Sequence, residues 1–541
     1  MIVKNWTRTD WLGAVGLAFC AVVAFTVVES AWYGDAPGYA NSLVQGRLIE
    51  PGHLLWRPLG ALAAELLGLN RTLSNSLWCI QFISLLAAVL TIVVVFYTVR
   101  LLCDRASAAL VGALVLASNG FWTYAFSGCS YSLSVLFTAL SVASLAVGAT
   151  VQREAAQVHR YVIVAGVFGG LAAATWGIQV ICAPALWVLA VATRARPATA
   201  KSVISTTAEF GVGYLFLLVL PLGALYVSLP TLGDKWYVVP TPAHLSLVQW
   251  IATSNHGLPA TANASQIFRV LLGFPQSIVS IGDIPQELRL WMYKDGPFPL
   301  SIWLIAVVGS YVVLGIGFAA VVRNVTNSTQ YRPYVWAGLT ALVLNLAFAL
   351  AWQGTDLERY FPSLPMQALL LGVAIAELKK IWPKHAVVGV GALILVIAAA
   401  NVIGNFHRFL ASDSFAQQWF RAAHKNARAG DLLIVSGNRK QQLSNPHDSN
   451  FPQVMVVSNI IAMFGNKWQS VADERIDLAK AGGHSIFIGD SVLDRRSVPR
   501  DGYSFKQFPE PSAAEIADKF APLRANSVAF SVLGERVWNG K

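Results

Sequence analysis

Charge is scarce in this chain: 12% of its 541 residues are Asp, Glu, Lys or Arg, against 55% hydrophobic. That balance excludes an ordinary water-soluble protein of this length. Instead, apolar runs near the ~20 residues that cross a bilayer as a helix recur along the first three quarters of the sequence. Cysteine is sparse too. Cys20, Cys79, Cys103, Cys129 and Cys182 lie in or beside apolar runs, and no CxxC pair occurs, so neither a zinc site nor a disulfide framework is indicated. Neither GxGxxG nor GxxxxGK[ST] is present, which removes the usual phosphate cradles for nucleotides. Internal repeats, heptad arrays and low-complexity tracts are missing as well.

What charge there is leans basic, with a net charge of +11. Nucleic acid is not the partner this implies, because much of the excess lies in short connections between apolar runs, where Lys and Arg set membrane topology. Eleven spans are expected, at about 11–28, 76–99, 106–121, 130–150, 161–175, 177–193, 207–228, 301–322, 334–352, 361–378 and 385–403. Lys4 and Arg8 precede the first, which lacks a small-residue cleavage site and reads as an uncleaved span. With the N-terminus in the cytoplasm, the cytoplasmic connections carry Arg100 and Arg105, Arg153 and Arg160, Arg194, Arg196 and Lys201, Arg323 and Arg332, and Lys379, Lys380 and Lys384. The short opposite connections, 122–129, Trp176 and 353–360, carry no basic residue but Arg359. This alternation holds only if 161–175 and 177–193, separated by Trp176, are two spans.

Three long segments then face outward: 29–75, 229–300 and 404–541. Residues 54–69 are apolar but short and contain Arg57, Pro58 and Glu65, which suits an interfacial or re-entrant helix, with a twelfth span as the alternative. Residues 229–300 read as a loop capping the membrane domain. From 404 onward, amphipathic stretches alternate with short apolar runs (DLLIVSG, PQVMVVS, SIFIGD, NSVAFSVL), the pattern of a soluble α/β layer domain. The expected fold class is therefore a polytopic α-helical membrane domain, 1–403, followed by a periplasmic α/β domain.

Two polar islands stand out at the expected outer face. The first, Glu29 to Gly60, gathers Glu29, Asp35, Arg47, Glu50, His53 and Arg57 among turn formers and the interfacial aromatics Trp32, Tyr33, Tyr39 and Trp56. A carboxylate such as Asp35 can act as general base toward an acceptor hydroxyl or hold a divalent cation; pairing with Arg47 or Arg57 would equally account for it. Glu29 is either a second acid or a helix-end carboxylate, and His53 on its own reads more readily as a structural interface residue than as a base. The second island, WQGTDLERYFPSLP over 352–365, crowds Asp356, Glu358, Arg359 and Tyr360 together. The Arg359 guanidinium suits a lipid phosphate, with an ion pair to Asp356 or Glu358 as the alternative.

The stretch YGDAPGYANSLVQGRLIEPGHLLWRPLGALA, with its acidic residue and later PGxxL turn, resembles the first outer loop of GT-C glycosyltransferases, nearest the protein O-mannosyltransferase-like branch. NGFWTYAFSGCSYSLSVLFTALS and RYFPSLPMQALLLGVAIAEL resemble later segments of that branch. The resemblance implies a polyprenyl-phosphate-linked sugar as donor and inverting transfer to a lipid, glycan or protein acceptor on the outer face of the plasma membrane. It implies Asp35 as the catalytic acidic residue and Arg359, with Tyr360, near the donor phosphate. The chain departs from relatives at Ile49 and Glu50, where a His often precedes the turn, at Cys129, where a Glu is frequent, and near Trp176, where a His is common. A transporter for lipid-linked saccharides, or a non-catalytic relative, would share the span pattern, but a transporter is expected to keep ionisable groups near the bilayer midplane.

Overall fold

The computed structural model describes residues 6–27, 35–44, 46, 48, 52–150, 155–194, 199–232, isolated helical positions within 267–278 and 312–319, then 331–351, 357–383, 385–409, 415–436, 452–495, 511–524, 527–532 and 534–540. Helices dominate the first part: α1 (Arg8–Val27), α2 (Ala36–Val44), α3 (Trp56–Leu66), α4 (Leu73–Leu102), α5 (Arg105–Ala117), α6 (Asn119–Ala125), α7 (Tyr131–Thr150), α8 (Ala155–Thr175), α9 (Ala183–Arg194), α10 (Ala200–Leu232), α11 (Arg332–Ala351), α12 (Leu364–Ile381) and α13 (His385–Phe409). Among the described residues, 7 helices are long and apolar enough to cross a membrane, or 8 if α5 and α6 count as one span. The protein is a multi-pass membrane protein. The expected span 301–322 lies outside the described residues apart from three positions.

One detail of the expected layout changes. The span drawn over 106–121 is not straight: it breaks at Ser118, and α5 and α6 meet at 62°. A break strands backbone carbonyls, and here the buried Asn401 of α13 donates to Ala117 O at 2.6 Å. Residues 54–69 yield α3, whose 11 residues span only about 16 Å at 1.5 Å per residue. It cannot cross a bilayer, which settles against a twelfth span there. By contrast, α8 does end at Thr175, and an extended Trp176 separates it from the 3₁₀ turn Gly177–Cys182 and α9.

Small residues let α8 and α10 approach to backbone contact. A Cβ on Gly166 would lie 2.3 Å from Phe210 O, and one on Gly213 would lie 2.4 Å from Ile163 O. Charge sorts to one end of the helices. Fully buried Asp10 accepts from Nε of Arg100 at 2.9 Å and Nε of Arg105 at 2.8 Å, while Lys379 pairs with Asp104 and Arg194 with Glu209. These basic residues belong to the connections expected to share one side. The opposite end carries Asp35, His53, Tyr131 and Arg359.

The remaining elements build a five-stranded sheet of order β2-β1-β3-β5-β4: β1 (Leu432–Val435), β2 (Gln453–Val456), β3 (Ile486–Gly489), β4 (Val528–Val532) and β5 (Glu535–Gly540), with α14 (Phe415–Asn426), α15 (Val457–Phe464), α16 (Trp468–Ala481) and α17 (Ala513–Phe520). β1 pairs in parallel with β2 and β3, and the four residues LLIV are buried throughout, as expected of a strand covered on both faces. Alternation divides them: Leu432 and Ile434 pack with Trp468, Ile516 and Phe520, whereas Leu433 and Val435 pack with Trp419 of α14. The sequence reading did not anticipate β5. ERVWNG alternates only weakly, and its pairing with β4 depends on a turn at Gly534, held at φ +79°.

Candidate active site

Asp35 immediately precedes α2, and its carbonyl accepts the Tyr39 N–H at 3.0 Å, so the carboxylate stands at a helix N-terminus. That end of a helix dipole favours negative charge. The residue is exposed, yet its Oδ2 receives a hydrogen bond from the hydroxyl of buried Tyr131 at 3.3 Å. Tyr131 opens α7 and is wedged by aromatic rings, with Trp176 at 4.5 Å and Tyr124 at 4.9 Å between centroids. The Asp35 carboxylate is thus reachable from solvent on one side and held by a packed donor on the other.

The loop before α7 is built to come this close. Gly128 sits at φ +82°, and a Cβ there would meet Ala36 Cβ at 3.2 Å and Ile80 at 3.1 Å, so the position needs glycine both for its dihedral and for space. Trp56, wholly buried at the start of α3, donates to Gly128 O at 3.2 Å. Ser84 donates to Cys129 O at 2.9 Å, and the Cys129 N–H donates to Ser127 Oγ at 3.0 Å. Burial pushes the Cys129 thiol well above its ordinary range, and the charges of Asp35 and Glu358 push in the same direction. This cysteine is a neutral packing residue.

The second polar island forms a 3₁₀ turn, Leu357–Tyr360, between α11 and α12. Asn345 of α11 donates to Arg359 O at 2.7 Å, and Tyr360 Oη donates to Val270 O at 3.4 Å. Arg359 is buried, and its Nη1 lies 2.6 Å from Glu358 Oε1. The ion-pair alternative weighed for Arg359 is therefore present, with Glu358 as the partner. The two islands are linked through aromatic rings: Phe361, next to the 3₁₀ turn, packs on Tyr124 at 5.3 Å, and Tyr124 packs on Tyr131 at 4.9 Å between centroids.

His53 bridges two hydroxyls, with Nε2 at 2.9 Å from Tyr39 Oη and Nδ1 at 2.9 Å from Ser130 Oγ. The Arg57 guanidinium lies over the Tyr39 ring at 5.7 Å. The expected residues Asp35, Tyr39, His53 and Arg57 therefore gather around the Tyr131 start of α7. Glu29 and Asp356, together with Arg47, Ile49 and Glu50, lie outside the described residues. Sequence reasoning passed over Ser130 and Tyr131 as site residues, although the stretch that contains them had been singled out. Neither carries a charge, and only the approach of α7 to α2 gives them a role. For a divalent cation, no group of three or more His, Cys, Asp and Glu able to hold one occurs among the described residues.

No protein-family description matches the sequence. No curated protein matches it either. Solved structures do match. ArnT from Cupriavidus metallidurans in the apo state superposes with a TM-score of 0.61 at 11% identity, covering 98% of both chains. The same protein bound to undecaprenyl phosphate gives 0.58 at 12% identity, again over 98% of both. An Archaeoglobus fulgidus oligosaccharyltransferase in its apo form gives 0.51 at 12% identity, over 90% of this chain and 70% of its own. The chain shares the fold of these structures.

Proposed function

We propose that the protein is an integral-membrane glycosyltransferase of GT-C type, moving a sugar from a polyprenyl-phosphate donor to an acceptor hydroxyl on the outer face of the plasma membrane. The observation that carries this reading is the exposed Asp35 carboxylate held by Tyr131, whose aromatic neighbour Tyr124 packs on Phe361 beside the Glu358–Arg359 pair. Asp35 takes the proton of the acceptor hydroxyl as the acceptor oxygen bonds to the anomeric carbon. The bond from that carbon to the phosphate oxygen breaks, and the polyprenyl phosphate leaves with the electron pair. Attack from the face opposite the leaving group inverts the anomeric centre. Arg359 stabilises the charge that develops on the departing phosphate, since a guanidinium suits an oxyanion in both charge and geometry. Glu29 is assigned as a second acid, Tyr360 as a donor-side contact, and Arg57 and Asp356 as supporting charges. No step is routed through a metal.

Placement in the O-mannosyltransferase-like branch rests on the acidic first outer loop and its PGHLL turn. The cytoplasmic N-terminus and periplasmic α/β domain rest on the basic connections. Against a transporter, the buried charged residues described in the helical part, Asp10 and Arg359, stand at opposite ends of the bundle. The decisive experiment incubates the purified full chain with a panel of polyprenyl-phosphate sugars and follows release of polyprenyl phosphate. Release by the wild type and its loss in Asp35→Asn support the reading. Absence of release across donors and acceptors, with facilitated movement of the lipid-linked sugar between leaflets, would overturn it.

A further inference from the structure

His53 lies in the turn between α2 and α3, and that turn is anchored without its side chain. Leu55 N–H donates to Ala174 O at 3.1 Å, Gly177 N–H donates to Gly52 O at 2.9 Å, and Trp56 Nε1 reaches Gly128 O. The imidazole is therefore delivered from a fixed base. From there its two nitrogens reach two different elements, Tyr39 Oη on α2 and Ser130 Oγ at the residue before α7, each at 2.9 Å.

Both elements end at Asp35. Along the first, the Tyr39 N–H binds the Asp35 carbonyl at 3.0 Å. Along the second, Ser130 is followed by Tyr131, whose hydroxyl binds Asp35 Oδ2. Ser130 O also accepts the Ser134 N–H at 3.2 Å, so it sets the first turn of α7. The result is a closed circuit of contacts: Asp35, Tyr39, His53, Ser130, Tyr131 and back to Asp35. A neutral imidazole donates from one nitrogen and accepts at the other, so it locks the two hydroxyls in opposite roles.

We propose that His53 is a positioning residue, whose two ring nitrogens clamp α2 to the start of α7 and so fix the angle at which Tyr131 presents Asp35 to the acceptor. The proposal rests on Asp35 being the general base. A small loss of register at a reacting group is costly, since a displacement near 1 Å can reduce turnover by about 100-fold.

The test is a mutant cycle in the purified full chain, read by polyprenyl phosphate release and by thermal stability. His53→Ala should lower kcat by about 10- to 100-fold with donor KM changed by less than about threefold. Tyr39→Phe combined with Ser130→Ala should lose about as much, and adding His53→Ala to that pair should cost little more, because all three remove one clamp. Wild-type kcat in His53→Ala, or losses that multiply as if independent, would overturn the proposal. So would a KM rise with kcat unchanged. If His53→Ala does not stay monodisperse, His53→Gln is judged by the same criteria. A second readout does not need the reaction: Tyr39→Phe and Ser130→Ala should be non-additive in melting temperature with His53 present and additive in the His53→Ala background. A wild type inactive on every donor would count against the glycosyltransferase reading, while the melting cycle would still decide whether the clamp exists.

Discussion

The hydroxyl of Tyr131 donates to Oδ2 of Asp35 across 3.3 Å, joining two residues 96 positions apart. Tyr131 is buried among aromatic rings and Asp35 is exposed, so the hydrogen bond ties a surface carboxylate to the packed end of the helical bundle. At 3.3 Å this is a long bond for a hydroxyl donor, and its contribution is about 0.5–1.5 kcal/mol, enough to bias the orientation of the carboxylate.

Asp35→Asn keeps the shape and removes the carboxylate we propose as the base. Turnover should fall by about 100-fold or more, the usual size of a general-base contribution, with the melting temperature close to wild type. Measuring polyprenyl phosphate release by the purified variant decides it, and wild-type turnover would remove Asp35 from the mechanism.

Tyr131→Phe removes the donor while retaining the ring against Trp176 and Tyr124. We expect kcat to fall by roughly 10-fold, corresponding to about 1.4 kcal/mol, with donor KM little changed. A change confined to KM would mean that Tyr131 binds donor rather than orienting Asp35.

Arg359→Ala leaves the Glu358 carboxylate in a largely buried place without its cation, and breaking such a pair costs about 3–5 kcal/mol. Glu358→Gln alongside Arg359→Ala should recover much of that stability. Donor affinity should stay weak in both variants if Arg359 serves the phosphate. Recovery of both stability and affinity in the double variant would reduce Arg359 to a structural ion-pair partner.

Gly166→Ala drives a methyl group to within 2.3 Å of Phe210 O, a backbone atom that cannot swing aside. Separating α8 from α10 should cost about 1–3 kcal/mol, seen as a lower melting temperature in detergent. Gly389→Ala, at a position with nothing within 4 Å, serves as the matched substitution and should be neutral or slightly stabilising.

Asp104, between α4 and α5, gives a pH dependence. Burial raises its carboxyl, but hydrogen bonds from Lys379 and Ser107 outweigh burial and hold it below the ordinary value of 3.8. A depressed folded-state value means that its stabilisation is complete above 3.8 and is lost as pH falls through the lower folded value. Asp104→Asn should therefore lower the melting temperature at neutral pH, and its deficit should shrink as the pH is taken below 3.8. A deficit that is constant across that range would show that the carboxylate charge is not what stabilises the site.

Much of the helical layout was legible because a bilayer imposes one rule everywhere: backbone groups must be satisfied within each span, so spans appear as long apolar runs. Trp176 was placed correctly as a boundary because the positive-inside pattern required one. The bend at Ser118 was not legible, since the group that satisfies the carbonyl freed there, Asn401, is distant in the chain. β5 escaped for a similar reason: its six residues become a strand by pairing between β3 and β4.

The sequence by itself determined the membrane character, the alternation of basic connections and two polar islands with their charged residues. Tertiary structure decided which of those residues meet. It brought Tyr131 to Asp35, buried Arg359 in an ion pair with Glu358, buried Cys129 and turned His53 into a bridge between Tyr39 and Ser130. The reason is physical. Apolar length is a local property that a run of residues carries in its own composition, whereas hydrogen-bond partners far apart in the chain are set by how the helices pack.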